Sequence, residues 1–569
     1  AVYSLVSQSN EQIEVAFKQT GMINGNLDYD VHYVLRQGES GFYAFAVLSS
    51  ALQQQWYLEQ ARCVVRNSPD IFHTMINDDV RQKVPPTPQE LADARNNGGI
   101  LSPSEATLLP DGTVDDKYLF SDYCGEHFVH GWAGDEYGMW MIMPNMEYQN
   151  GGPTTQELTV HQTTTTPVIL NTFQGAHYGS DKNYFADQES WEKMYGPFFV
   201  YVNEGSTVAD QWNDAKAKTE TEKQKWPYQW MNHTLFPTQR GSVQGTLTIT
   251  DGISPEGAWV ILSQPETPGV IPHWQQQGKN YQFYARADAQ GNFDIQHVRD
   301  GSYSLYAFVK GVPEEYRQDS IQVVASQTTD MGTINWQPDR FGRTVWQIGN
   351  FDRTAGEYKH GEKFHDGISW GMWYNYPTEF PDDVHFFIGS SDIHTDWNYT
   401  QMAYEKPDTT FHLPVWTIYF NLEGPIPPGQ AVLSVGIAAS RLAALEVRVN
   451  GTQVEYDSAI EAGSACVRNS IQGTYQLKRI SFNCSLLQNG ANTITLKQFR
   501  GRTFANIMYD AIRLEIPWWA DQDGNGWVDS VDLSELCLQW LTAGTTANFN
   551  SDTLVDLVDF SILATEWSQ

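Results

Sequence analysis

Apolar and polar residues alternate with a period of two along much of this chain. TLTIT (246–250) and LEVRV (445–449) are clear cases. The second runs into Asn450-Gly451, a dipeptide that tight hairpin turns favour. Helical periodicity is scarce. The segment 206–226 (STVADQWNDAKAKTETEKQKW) opens on a Ser/Thr cap and carries alternating charges, which predicts a helix. The 45 Gly and 26 Pro punctuate many short strands. The pattern predicts a mostly β protein built from sandwiches. At roughly 100–200 residues per domain, the 569 residues make three to five units.

Shifts in composition suggest four. Residues 1–238 are rich in His, Trp and Tyr. A new style begins near Gly241, with GSVQGTLTIT, GAWVILS and GSYSLYAFVKG, and 239–334 has the size of a small sandwich. Residues 335–517 close on NTITLKQF and IMYDAIRLEI, a last pair of strands. Residues 518–569 carry nine acidic residues and no Lys or Arg.

Charge narrows the partners. Lys+Arg is 35 against 68 Asp+Glu, a net charge of −33, so nucleic acid and anionic membranes would be repelled. Charged residues are only 18% and hydrophobic ones 41%, which excludes a disordered acidic polymer. The 20 Trp fit aromatic-rich sandwich cores, with a minority left for sugar stacking. No apolar run reaches the roughly 18 residues of a membrane span. The opening AVYSLVSQ lacks the basic and apolar regions of a signal peptide. Five Cys make no disulfide scaffold; Cys466 and Cys484 are candidates to pair, and the odd number leaves a free thiol.

The acidic tail contains a repeat. Asp521, Asp523, Asn525, Asp529 and Asp532 place side-chain oxygens at positions 1, 3, 5, 9 and 12 of a loop, and Trp527 offers a backbone carbonyl at position 7. That spacing wraps Ca²⁺. It returns as Asn548, Asn550, Asp552, Leu554 (carbonyl), Asp556 and Asp559. The second copy has two Asn for Asp and Thr553 where the first has Gly526, which predicts weaker binding. A short amphipathic helix follows each copy. The tail resembles a dockerin module, which implies structural Ca²⁺ and docking to a cohesin-like scaffold protein. A Ca²⁺-stapled terminal module with no partner is the other reading.

No GxSxG elbow, HExxH or phosphate loop is present. The first unit instead carries GESGFYAFAV (38–47), INDDVRQKVP (76–85), DDKY (115–118), VHGW (129–132), EYQNGGP (147–153) and GAHYG (175–179). With GSVQGTLT, WQIGNFDRTAGEY (346–358) and NIMYDAIRLE (506–515), this run resembles the rhamnogalacturonan lyases of polysaccharide lyase family 4 over about residues 1–517. The resemblance implies a large catalytic β-sandwich, a fibronectin type III-like spacer and a jelly-roll, carbohydrate-binding-like domain. Family members carry further strands ahead of the point where this chain begins, so a first unit shortened at its N-terminus is expected.

The implied reaction is β-elimination at the rhamnose-(1→4)-galacturonate bond of rhamnogalacturonan I in pectin. A uronate C5 proton is weakly acidic, so the neighbouring carboxylate must be neutralised before a base removes it. Many lyases use Ca²⁺ for this; arginine does it by bidentate pairing, and no catalytic cofactor is implied. Arg62 and Arg66 match the family's substrate-binding arginines, and a spacing of four puts both on one face of a strand. Lys117 matches the family's base and His177 its acid. His130, Glu147, Tyr178 and Arg81 are candidate sugar contacts. In the third unit Trp370, Trp373 and Trp397 are stacking candidates or core. The resemblance further implies a secreted, monomeric enzyme. Two alternatives remain: a non-catalytic carbohydrate-binding or scaffold protein on this fold, and a glycoside hydrolase, which needs a catalytic carboxylate pair that does not stand out.

Overall fold

The computed structural model describes residues 1–567 except 52, 53, 102–104, 176, 179–182, 251, 364–370, 461, 462, 464, 545 and 551. The chain is mostly β, with 44% strand and 15% helix. In the first unit nine antiparallel strands form one sheet, in the order Val2–Gln8, Gln12–Gly21, Leu27–Arg36, Gly41–Ser50, Glu192–Glu204, Tyr137–Ile142, Val129–Gly134, Phe72–Ile76 and Gln82–Lys83. Its central strands are apolar at nearly every position because both faces are covered. Ala44, Trp132, Met141 and Val200 face a core shared with a second, three-stranded sheet. Their neighbours Tyr43, Ala133, Trp140 and Phe199 face Trp212 and Ala215 of the helix Val208–Lys225. Thr207 caps that helix, accepting from Asp210 N. This is the helix expected from the capped, charged segment.

The second unit packs a three-stranded sheet on a four-stranded one around Val260, Phe293, Leu305 and Trp336. The third packs two five-stranded sheets. Its strand Ala443–Val449 turns through Asn450 and Gly451, both at positive φ (46° and 83°), into Thr452–Ile460, as the dipeptide predicts. Trp373 and Trp397 are buried in the core of this unit, so neither is a stacking surface; Trp370 lies outside the described residues. Cys466 and Cys484 are both free and buried, so the expected pairing is absent. No described helix is long and apolar enough to cross a membrane.

The tail folds into two ten-residue helices, Ser530–Gln539 and Leu557–Glu566. Each starts with a reciprocal cap, Asp529 with Asp532 and Asp556 with Asp559. Leu536 and Leu563 pack together with Val528 and Val555. Gly526, at φ 87°, lies so close to the carbonyl of Arg340 that a Cβ would sit 2.4 Å from it, so only glycine fits this contact between the tail and the third unit.

Candidate active site

The second sheet of the first unit consists of Val160–Gln162, Pro167–Gln174 and Ala61–Arg66, all antiparallel. Direct pairing sets Val168 between His161 and Arg66, and Thr172 opposite Arg62. Alternation then turns Cys63, Val65 and Ile169 into the core and leaves Arg62, Val64 and Arg66 on the outer face. Arg62 and Arg66 thus share a face, as the spacing predicts, and form no ion pair among the described residues.

A small apolar cluster of Tyr118, Leu158, Leu170 and Tyr178 covers part of this outer face. Tyr118 sits in a short 3₁₀ turn, Lys117–Leu119, capped by Asp116, whose Oδ1 accepts from Tyr118 N at 2.9 Å. Three cationic or basic groups surround the Tyr118 ring. Lys117 Nζ lies 5.0 Å from its centre. The Arg468 guanidinium, from the third unit, lies 5.4 Å away. The His177 ring centre lies 6.1 Å away. Arg468 Nη1 also donates to the His177 carbonyl at 3.3 Å. A cavity of about 690 Å³ opens beside them, lined by Trp56, Leu58, Gln60, His177 and Arg468 among others.

Two carboxylates complete the cluster. Glu157, buried to 5% side-chain exposure, places Oε2 3.1 Å from His177 Nδ1, and the Gln60 amide lies 3.0 Å from Nε2. The ring is therefore oriented from both sides. Glu105 pairs with Lys117. The hydrogen bond from Lys117 holds the Glu105 carboxyl below the usual range against the effect of burial, with help from the charges of Lys117, Arg468 and His177. An acidic group thus already rests where three positive or basic groups converge. His161, by contrast, is pushed down to about 3 by burial and by the charges of Lys117 and Arg62, so it is neutral near pH 7. Burial pushes Asp116 up to about 6, opposed by hydrogen bonds from Tyr118 N and from Asn469 of the third unit.

Four expected sugar contacts are buried, three of them away from this cluster. Arg81 is buried, donating to Asp78 and Asp122 (both 2.6 Å) and to the Ser121 carbonyl (2.6 Å). His130 is buried, 2.7 Å from the Leu170 carbonyl and 2.9 Å from His127, and burial first holds it neutral. Glu147 is buried between Arg240 and Arg299. Tyr178 is buried at the base of the site. A sugar cannot reach Arg81, His130 or Glu147 without displacing these partners, and their polarity serves internal pairing, because a buried polar group needs a partner.

Glu105, Glu157, Gln60 and Arg468 were not found by sequence reasoning. Glu157 lies two residues from Thr159 in the TQELTVH segment, and Tyr118 belongs to DDKY, but polarity alone marks neither. Arg468 is far away in sequence, and its presence depends on docking of the third unit. There Asn469 donates to Asp116, and Gln472 donates to the Thr154 carbonyl at 3.0 Å.

One test follows from the Glu157–His177 contact. Glu157→Leu keeps the size but removes the oxygen that holds the ring, so kcat should fall about tenfold for each 1.4 kcal/mol of orientation lost while KM stays near wild type, and Glu157→Gln, which keeps an oxygen at that place, should recover part of kcat. An unchanged kcat in Glu157→Leu would reject the positioning role.

Comparison with known proteins agrees with the order of units. Residues 1–117 match the model of the rhamnogalacturonate lyase family, 239–331 that of polysaccharide lyase family 4, domain II, and 344–514 that of polysaccharide lyase family 4, domain III. A rhamnogalacturonate lyase of Dickeya dadantii is 29% identical over 523 residues, spanning 90% of this chain and 82% of that protein. A probable rhamnogalacturonate lyase B of Aspergillus terreus is 25% identical, spanning 86% and 82%. Rhamnogalacturonate lyase B of Emericella nidulans is 24% identical, also spanning 86% and 82%. Two models of polysaccharide lyase family 4 domains and one of the rhamnogalacturonate lyase family are matched in succession along a single chain, and with these relatives they make the protein a lyase acting on rhamnogalacturonan.

Proposed function

We propose that this protein is a secreted lyase that cleaves the rhamnose-(1→4)-galacturonate bond of rhamnogalacturonan I by β-elimination. The observation that carries the reading is the grouping of Lys117, His177 and Arg468 around Tyr118, beside an open cavity, with a carboxylate already seated among them. In this reading the galacturonate carboxylate takes the place of Glu105, which frees Lys117 from its ion pair. Arg468 and Arg62 neutralise the uronate and acidify its C5 proton. Unprotonated Lys117 Nζ takes that proton. The C5–H electron pair becomes the C4=C5 double bond, and the C4–O bond breaks. His177, held by Glu157, gives its proton to the departing rhamnose oxygen.

The test is ultraviolet absorbance from the new double bond. It should develop on rhamnogalacturonan I and not on homogalacturonan. Retardation in gels cast with rhamnogalacturonan I, with no absorbance at any enzyme concentration, would favour a carbohydrate-binding protein without activity.

We also propose that the tail is a dockerin-like Ca²⁺ module that tethers the enzyme to a cohesin-like scaffold. Carboxylate oxygens of Asp521, Asp523 and Asp532 lie within 4.8 Å of one another, a separation that one cation can span. Burial and the like charges of Asp532 and Asp523 push the Asp521 carboxyl up, as expected where anions face each other. Asn525, Asp529 and the Trp527 carbonyl complete the donor set, and bound Ca²⁺ would neutralise and rigidify the loop. Leu538 and Leu557, 78% and 71% exposed on the two helices, offer an apolar docking face. Chelation should destabilise the tail by about 3 kcal/mol relative to Ca²⁺ at a hundred times its Kd, read as earlier unfolding of the tail with the rest of the chain unchanged. A tail insensitive to both Ca²⁺ and chelator would reject the assignment.

A further inference from the structure

Next to the main cavity lies a second groove that the reaction does not use, and Gln55 lines both. The second groove, of about 300 Å³, runs between the strand Asn183–Phe185 of the first unit and residues 269–280 of the second. Its first-unit wall is the strand Asn183–Phe185, which pairs with Trp56–Leu58 in a two-stranded ribbon. Alternation along the ribbon sends Trp56 and Phe185 inward, where their rings stack at 4.2 Å. It sends the directly opposed Tyr57 and Tyr184 outward, 48% and 58% exposed, with ring centres 6.0 Å apart and inclined at 47°.

The opposite wall is fixed in place. Trp191 Nε1 donates to the Lys279 carbonyl at 2.8 Å, and Lys279 Nζ pairs with Glu189 at 2.6 Å. The turn between Thr267 and Ile271 carries Val270 at its tip, 59% exposed, next to Pro272. Large apolar side chains are thus held at the surface on both sides of a groove that shares Gln55 with the candidate active-site cavity. Such persistent exposure marks a binding surface.

Charge selects the occupant. Lys279 is the only cation among the described lining residues, and Glu189 already neutralises it. A galacturonosyl carboxylate would find no unpaired cation among the described lining residues. A 6-deoxyhexose brings no charge, one apolar ring face for an aromatic platform and a methyl group for an aliphatic wall. We propose that Tyr57 and Tyr184, with Val270 and Pro272 of the second unit, form a subsite for a rhamnosyl residue of the polymer away from the scissile bond. This rests on the reading of the protein as a rhamnogalacturonan lyase and gives the second unit a share in substrate selection.

The test compares the Tyr57→Ala/Tyr184→Ala pair, the corresponding Phe pair and Val270→Asp. On polymeric rhamnogalacturonan I the Ala pair should raise KM about three- to tenfold with kcat within about twofold, as expected for lost stacking at a remote subsite. The Phe pair, which keeps both ring faces, should restore KM. Val270→Asp, at an exposed turn, should raise KM without affecting folding. An unchanged KM in the Ala pair overturns the subsite, and so does a fall in kcat alone. Mobility in gels containing rhamnogalacturonan I gives a readout that does not require turnover. If the wild-type chain shows no turnover, the lyase reading fails, yet lost retardation in the Ala pair still supports the subsite and unchanged retardation rejects it.

Discussion

Lys117→Ala and His177→Ala should each lower kcat/KM on rhamnogalacturonan I by about 10²–10⁴-fold, the usual loss when a positioned base or acid is removed. Lys117 and His177 have side chains 23% and 16% exposed, His177 lines the cavity, and neither supports a hydrophobic core. Unfolding midpoints should therefore stay near wild type, which separates chemistry from folding. The loss should appear mainly in kcat, because Arg62, Arg468 and the sugar-binding surfaces remain. Lys117→Arg keeps the charge, but its guanidinium does not deprotonate in proteins, so it should be as inactive as Ala. Activity within a few-fold of wild type in Lys117→Arg would exclude Lys117 as the base. Likewise, a near-normal His177→Ala would exclude His177 as the acid. Both failures together would leave the cluster around Tyr118 as a binding site.

Local rules made much of the fold legible. Period-two alternation marked LEVRV as a strand, and the spacing of four put Arg62 and Arg66 on one face. A Ser/Thr cap with alternating charge marked the helix behind the large sheet. Asn450-Gly451 marked its hairpin. What could not be read was burial and long-range assembly. Arg81, His130 and Glu147 were candidate sugar contacts because they stand in the motifs that carry the family resemblance, and a motif does not tell a binding residue from a structural one. Only the folded chain shows that Asp122, the Leu170 carbonyl and two arginines from the next unit pair with them internally. Trp373 and Trp397 were ambiguous for the converse reason, since a stacking tryptophan and a core tryptophan have the same sequence signature. Arg468 and Glu157 depend on packing between distant segments and leave no local mark.

The net charge of −33 opposes binding of a polyanion at long range. The candidate site gathers local cations from two units: Lys117 and Arg62 from the first, Arg468 from the third. Screening is weak at contact distances and strong beyond roughly 10 Å in ordinary salt. A small cluster can therefore outweigh a dispersed negative field for a carboxylate already in the cavity. The spacing of the cluster depends on how rigidly the three units are joined. For the third unit the joint is the 468–472 segment, which reaches the first unit through Asn469 and Gln472.

For the second unit the joint is Glu147, and its loss should be the largest single-site effect on stability in this protein. Glu147 Oε1 accepts from Arg299 Nη2 at 2.6 Å and Nε at 2.9 Å, and Oε2 accepts from Arg240 Nη1 at 2.9 Å. All three side chains are largely or wholly buried, so Glu147→Ala leaves two guanidinium groups out of water with no counter-charge. Breaking one partner of such an arrangement costs about 3–5 kcal/mol. Part of the cohesion between first and second units should go with it, although Lys193 still donates to the Gly278 and Asn280 carbonyls at 2.7 and 2.8 Å. The pH dependence gives the prediction a second side. Burial alone would raise the Glu147 carboxyl, but the charges of Arg299 and Arg240 and their hydrogen bonds outweigh it and hold the carboxyl below its ordinary range. A depressed carboxyl stabilises the fold above the unfolded-state value, about 4.3 for glutamate, and that contribution fades as pH falls through the folded-state value. Denaturant unfolding near pH 7 should show the full deficit, with the two units losing their common transition. In acid, wild type and Glu147→Ala should draw together, because the wild-type carboxyl is then protonated as well. A deficit below about 1 kcal/mol near neutrality, or one that stays constant into acid, would mean that the arginines find other partners and that the pair does not hold the two units together.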